Sequence, residues 1–193
     1  MKIRVLLSLM GLCLFTGCPD SSTPATSNPD EKSTVDGTDP QVKDPTKQAS
    51  LHVADTPEAV QAFKDLDAKM VFSKDGRVLI LDLKETTAKD SDLINLAGLP
   101  SLERLTIWGP TFTDVATDAI SKQKKLWYLN MEGTAIGDAG VQKLSDLQDL
   151  QVLSLRATNI TNDALKVVAA FPKLKDLDLR FNKEINEVKS SLI

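Results

Sequence analysis

The feature that most constrains this chain is a period. Leu102, Leu126, Leu150 and Leu174 stand 24 residues apart, and Leu105, Leu129, Leu153 and Leu177 repeat the step. The columns Ile107, Met131, Leu155, Leu179; Phe112, Ile136, Ile160; and Ile120, Leu144, Val168 keep it too. One period upstream, Val78, Leu81, Leu83, Leu93 and Leu96 fall on the same grid. Five units therefore begin near Arg77, Ser101, Lys125, Asp149 and Lys173. Each unit exposes apolar surface that only the next unit can cover, so the units must stack.

The pattern inside one unit says how they stack. Alternation at Leu105 and Ile107 is the period-two signal of a short strand, whereas Val141, Leu144 and Leu147, spaced by three within 138–147, predict a helix. Asp90, Asp114, Asp138 and Asn162 stand where those helices begin, two of them preceded by Thr113 and Thr161, which suits N-capping. The expected fold is an α/β solenoid, with short parallel strands on a concave face and helices on the convex one.

The segments Leu102-x-x-Leu105-x-Ile107, Leu126-x-x-Leu129-x-Met131 and Leu150-x-x-Leu153-x-Leu155 resemble leucine-rich repeats, and the resemblance covers roughly residues 77–193. The position that is Asn in many such repeats is here Thr86, Pro110, Thr134, Thr158 and Asn182, a variant seen in bacterial repeats. The resemblance implies that threonine bonds the neighbouring turn's backbone in place of asparagine. Pro110 has no amide to donate, so the second unit should be locally irregular.

The ends need covering. Thr56-Pro57-Glu58 combines an N-cap, a proline at the first helical position and an acid in the first turn, with Val60, Phe63 and Leu66 following on one face. A strand-like Met70–Ser73, then Lys74-Asp75-Gly76 and Val78, predicts a hairpin into the first unit. Residues 51–76 are thus expected to form an N-terminal cap. The fifth unit gains a residue around Asn182–Ile185 and stops without an obvious polar cap, so its edge strand is expected to be exposed or paired.

The first 17 residues read as an export signal. Lys2 and Arg4 precede an apolar run, Val5 to Phe15, that is too short for a membrane span of about 20 residues. The run ends in Phe15-Thr16-Gly17-Cys18, which resembles the lipobox of bacterial lipoproteins, although its first position is usually leucine. Cys13 is a poorer candidate because Leu12 before it is not small. The resemblance implies cleavage before Cys18, lipidation of that cysteine, and a chain anchored in a bacterial cell envelope. More than one acyl chain, at about 0.8 kcal/mol per buried methylene, gives stable anchoring. From Pro19 to Ser50 there is no Leu, Ile, Met, Phe, Trp or Tyr, so residues 18–50 are expected to be a disordered tether with a reach of about 30 Å.

Composition now excludes more than it would alone. The net charge of -4 becomes -6 once Lys2 and Arg4 are lost, and nothing clusters cations as a nucleic-acid partner requires. The single histidine, His52, lies outside the grid, and both cysteines lie in the first 18 residues. No Ser-His-Asp arrangement, Cys/His metal site or glycine-rich phosphate loop follows, so no cofactor and no catalytic residue is expected. Lys122, Lys124 and Lys125 read as a solvated helix end.

Strand alternation assigns three columns to the concave face. They are Ile80, Arg104, Tyr128, Val152, Asp176; then Asp82, Thr106, Asn130, Ser154, Asp178; then Lys84, Trp108, Glu132, Arg156, Arg180. Trp108 and Tyr128, near Arg104 and Arg156, are residue types enriched at binding hot spots, but they could equally pack on neighbouring side chains. The Asp90, Asp114, Asp138 ladder could hold Ca²⁺, and capping explains the same residues without metal. The expected function is a non-enzymatic binding module for a protein or envelope polymer; a self-associating envelope scaffold is the alternative.

Overall fold

The computed structural model describes residues 4–6 and 53–185. The expected lipidation site Cys18 and the expected tether lie outside the described residues. Seven strands form one sheet in the order β1-β7-β6-β5-β4-β3-β2. In chain order they are β1 (Arg4–Leu6), β2 (Lys69–Phe72), β3 (Val78–Asp82), β4 (Arg104–Thr106), β5 (Tyr128–Asn130), β6 (Val152–Ser154) and β7 (Asp176–Asp178). All neighbours pair in parallel except β2 and β3, which form the antiparallel hairpin. The register follows the 24-residue grid: Ile80 lies beside Arg104, then Tyr128, Val152 and Asp176. The fold is a leucine-rich repeat solenoid.

The grid residues are its core. Leu81, Leu105, Leu129, Leu153 and Leu177, the middle residues of successive strands, are all completely buried, as are Leu102, Leu126, Leu150 and Leu174. Each such leucine stabilises the fold by about 1.5–3 kcal/mol through removal of apolar surface from water. The helices opposite the sheet are short: α2 (Ala116–Ile120), α3 (Asp138–Lys143) and α4 (Ala164–Val168). Helices of this length are marginal alone, and packing of Ala116, Ile120, Val141, Ala164 and Val168 against the strands holds them.

The first convex segment differs. Asp90–Gly98 is a 3-10 helix. Its buried residues, Leu93 and Leu96, and then Leu99, are three apart, and three residues per turn put all of them on one line toward the core. A short 3-10 turn, Leu144–Asp146, likewise follows α3 and brings Leu144 and Leu147 inward.

The aspartate column does something other than cap its own helices. The structure shows no side-chain cap bond at α2, α3 or α4. Asp90 instead accepts the Thr113 amide and hydroxyl, at 2.9 and 2.6 Å, and Asp138 accepts those of Thr161. Asp114 meets Gly137 at the equivalent place and accepts its amide at 2.7 Å. Each carboxylate reaches one unit ahead because the 23-residue offset brings the next turn's donors directly over it. Thr113 and Thr161 supply the local turn bonds instead, accepting the amides of Val115 and Asp163.

The threonines at the asparagine position are also used differently from expectation. Thr86, Thr134 and Thr158 donate to carbonyls three residues back in their own turn, at 2.8–2.9 Å. Asn182 alone of this column crosses to the previous unit, donating to the Leu155 carbonyl and accepting the Thr158 amide. From this position a hydroxyl one bond from Cβ bonds within its own turn, whereas the longer carboxamide reaches the neighbouring backbone. In the second unit, where Pro110 has no amide, Thr111 makes the crossing by donating to the Ala88 carbonyl at 3.1 Å.

Just before that column the backbone turns left-handed in four successive units: Gly109, Gly133, Ala157 and Phe181 have φ of 99°, 72°, 53° and 63°. Glycine takes this conformation without penalty, whereas a side chain costs roughly 1–2 kcal/mol.

At the N-terminal end α1 (Pro57–Asp65) buries Ala59 and Phe63 against the first unit. The Asp55 carboxylate accepts the Val78 amide and so fastens this segment to β3. At the other end, β1 pairs in parallel with β7, Arg4 beside Asp176. Residues 4–6, part of the expected export signal, thus lie on the edge of the repeat sheet. No helix among the described residues is long and apolar enough to cross a membrane.

Candidate functional site

Arg104, Thr106, Tyr128, Asn130, Ser154, Asp176 and Asp178 lie in the strands, and Trp108, Glu132, Arg156 and Arg180 follow just past the strand ends. In β4 to β7 the outer two residues are half-buried and the middle one is buried. Three-residue strands in fixed register hold neighbouring side chains at the strand spacing of about 4.8 Å, so the face is set by the backbone. It divides into two parts.

Toward the N-terminal units lies a cationic-aromatic cluster. The Arg104 guanidinium carbon stands 4.4 Å from the centre of the Tyr128 ring and 5.3 Å from that of Trp127. The two rings meet edge to face, with centroids 6.1 Å apart. Arg104 Nε is buried without a hydrogen-bond partner among the described residues, so ring faces stand in for acceptors on that side of the guanidinium. Trp127 Nε1 donates to Glu103, one unit back, at 3.4 Å. The candidate set omitted Trp127 because it precedes the outward-facing register. Its spacing of one from Tyr128 and 24 from Glu103 is the only sequence signal for its role.

Trp108 sits apart from that cluster. It is 47% exposed and leans over Gly133 of the next unit, where an added Cβ would come within 3.3 Å of its Nε1. Glycine at that turn serves both the left-handed backbone and the indole above it.

Toward the C-terminal units the face is an array of ion pairs. Arg180 Nε and Nη2 grip both oxygens of Asp178 at 2.9 and 2.6 Å, and Arg156 reaches Glu132 at 3.3 Å. Burial pushes the Asp178 pKa up, but the Arg180 bonds and the charges of Arg180 and Arg156 outweigh it and hold it below the usual carboxylate value. Arg156 also stacks over Phe181, 4.6 Å from its ring centre. Phe181 is exposed, and sequence reasoning passed over it. Its signal was a large apolar residue in a column that holds Glu85, Gly109, Gly133 and Ala157 in the other units.

The middle column is partly structural. Asp82, Asn130 and Asp178 each accept the amide two residues ahead, at 2.9–3.1 Å, which turns the chain out of the strand. Thr106 lies beside Asn130, and Ser154 beside Asp178. Asn130, Ser154, Arg156, Asp176 and Arg180 line a shallow cavity of about 250 Å³. On the convex side the exposed Ile94 and Val115 flank a second cleft of about 420 Å³, whose polar lining includes Asp90, Asp118 and Lys122.

The family model described as Leucine Rich repeat matches residues 122–145, one 24-residue unit containing β5 and α3. No curated protein matches the sequence. Among solved structures, the LRR ectodomain of the receptor kinase SOBIR1 from Arabidopsis thaliana is similar at 14% identity and a TM-score of 0.43. The likeness covers 68% of this chain and 97% of that one.

Proposed function

We propose that this leucine-rich repeat protein is a non-enzymatic binding module whose concave face engages a protein or an envelope polymer. In this reading a lipid on Cys18 holds it to a bacterial membrane, on the periplasmic or surface side, at the end of a flexible tether. The observation that carries the binding role is the Arg104, Trp127 and Tyr128 cluster, which presents a guanidinium between aromatic rings on a rigid sheet face. Aromatic and arginine side chains lose little freedom on contact and supply both apolar area and directed hydrogen bonds, the combination that dominates interface energetics.

Size sets what such a face can do. Five strands at about 4.8 Å give a face roughly 20 Å across, and the five-residue rows are about 15 Å long, so its area is about 300 Å², less than the about 800 Å² that each partner contributes to a standard interface. Binding through this face is therefore weak unless the flanks take part or several copies on one membrane act together.

Crosslinking and pull-down with the chain from residue 19 onward test the binding face. The partner recovered by the native sequence should be lost, or bound at least tenfold more weakly, by Trp108→Ala and Tyr128→Ala; equal recovery by all three rejects the concave face. Anchoring is tested separately in the producing bacterium. Cys18→Ser should move the protein from the membrane to the soluble fraction, and an unchanged distribution rejects lipidation at that cysteine.

A further inference from the structure

One hydrogen bond recurs from β4 to β5, from β5 to β6 and from β6 to β7. The Tyr128 amide donates to the Glu103 carbonyl at 3.3 Å, Val152 to Trp127 at 3.0 Å, and Asp176 to Gln151 at 3.1 Å. Arg4 continues the series, its amide donating to the Lys175 carbonyl at 2.6 Å. The register does the same: Arg4, Val5 and Leu6 stand beside Asp176, Leu177 and Asp178 as a sixth unit's strand would. The N-terminal segment therefore occupies the next position of the solenoid, although by sequence it belongs to no repeat.

We infer that the outer edge of β7 is a strand-accepting site for an extended segment bearing a basic residue in register with Asp176. Arg4–Leu6 fills the site in the unprocessed chain. Removal of residues 1–17 vacates it for a segment of the same chemistry from another protein. The vacating step rests on the reading of residues 1–17 as an export signal; the chemistry of the edge does not.

Two observations select this occupant. An open parallel edge offers unpaired carbonyls and amides, here the Lys175 carbonyl and the Leu177 peptide groups that alternation turns to the same side, and extended peptides add to such edges through main-chain bonds. The edge is also acidic on its concave side. Arg180 takes up Asp178, whereas Asp176 has no ion pair among the described residues, and Arg4 brings a cation into register with it. A second copy of the chain fits less well. Two-fold antiparallel pairing about Leu177 would set Asp176 opposite the other copy's Asp178, which Arg180 already holds, so neither Asp176 would gain a cation of its own.

The test is a titration of a fluorescent peptide of residues 1–8 into the chain from residue 19 onward. That chain keeps the whole buried core, which runs from Ala59 to Leu179, and a cooperative thermal melt checks its folding. Saturable binding is expected, at least tenfold weaker for the peptide carrying Arg4→Glu and regained when that peptide meets the Asp176→Lys chain. Absence of saturable binding, or equal binding of both peptides to the native edge, overturns the proposal. So does sedimentation of the peptide-free chain as a dimer that the peptide does not dissociate, since a second copy would then be the occupant. Mass spectrometry of the protein recovered from the producing bacterium reads the processing step separately: a retained Met1 overturns the vacating of the edge, whatever the titration gives.

Discussion

The Asp138 carboxylate accepts the Thr161 amide at 2.8 Å and the Thr161 hydroxyl at 2.7 Å, and so ties the start of α3 to the turn before α4. Asp90 and Thr113 make the same pair two units earlier. Units in a solenoid touch only their neighbours, so bonds of this kind add to the apolar contact that couples one unit's stability to the next.

Asp138→Ala should therefore lower stability by about 2–3 kcal/mol, because it leaves two donors without their charged acceptor. Thr161→Val, which keeps the amide bond and loses the hydroxyl, should cost about 1 kcal/mol. Urea unfolding of the two single variants and the double variant checks this. The double variant should be less stable than Asp138→Ala by no more than the Asp163 amide bond to the Thr161 hydroxyl contributes, about 0.5–1 kcal/mol, since the bond between Thr161 and Asp138 is lost only once.

The left-handed column makes a prediction of opposite sign at two equivalent places. Ala157 holds φ of 53° and Gly133 holds 72°. Ala157→Gly should raise stability by about 0.5–1 kcal/mol, the strain relieved less the added freedom of the unfolded chain. Gly133→Ala should lower it by at least about 1 kcal/mol and shift Trp108 fluorescence, because the new methyl meets the indole. Thermal melts of both variants give the signs.

Gln123 occupies a column held otherwise by Leu99, Leu147 and Phe171. It is buried and donates to the Leu96 carbonyl of the preceding unit at 2.8 Å. Gln123→Ala should cost about 2–3 kcal/mol through the lost bond and the space left behind, the Leu96 carbonyl keeping the Leu99 amide as its other partner. Gln123→Leu keeps the volume and loses only the bond, so it should cost less, and chemical denaturation ranks the two.

Acid should selectively weaken the C-terminal part of the concave face. The Asp178 pKa is held below its ordinary value of 3.8 in the folded chain, so the folded state binds the proton less readily than the unfolded one. Its contribution to stability is then fully present above the ordinary value and is lost as pH falls through the depressed folded value. The stability difference between the native chain and Asp178→Asn should be constant from pH 7 to about 5 and shrink below about 4. A gap that stays constant down to pH 2 would show that Arg180 does not stabilise the carboxylate.

The 24-residue grid by itself determined the strands, their parallel register, the buried columns and the residues that face outward. Those follow from periodicity, because a residue that recurs at the same place in every unit must meet its own counterparts when the units stack. What the sequence left undecided were contacts that depend on side-chain length and on offsets other than the period. The aspartate column looked like caps from its position; only the packed structure showed the 23-residue reach to the next turn. Thr158 and Asn182 share a column, yet the hydroxyl closes its own turn and the longer carboxamide crosses to the neighbour. Trp127 joins Arg104 and Tyr128 although it stands one place outside the strand, and Phe181 packs under Arg156 from a backbone position that favours glycine. The pairing of Arg4–Leu6 with β7 was the least legible of all. No repeat announces it, and it depends on an open edge of unpaired peptide groups meeting an extended segment that sets Arg4 beside Asp176.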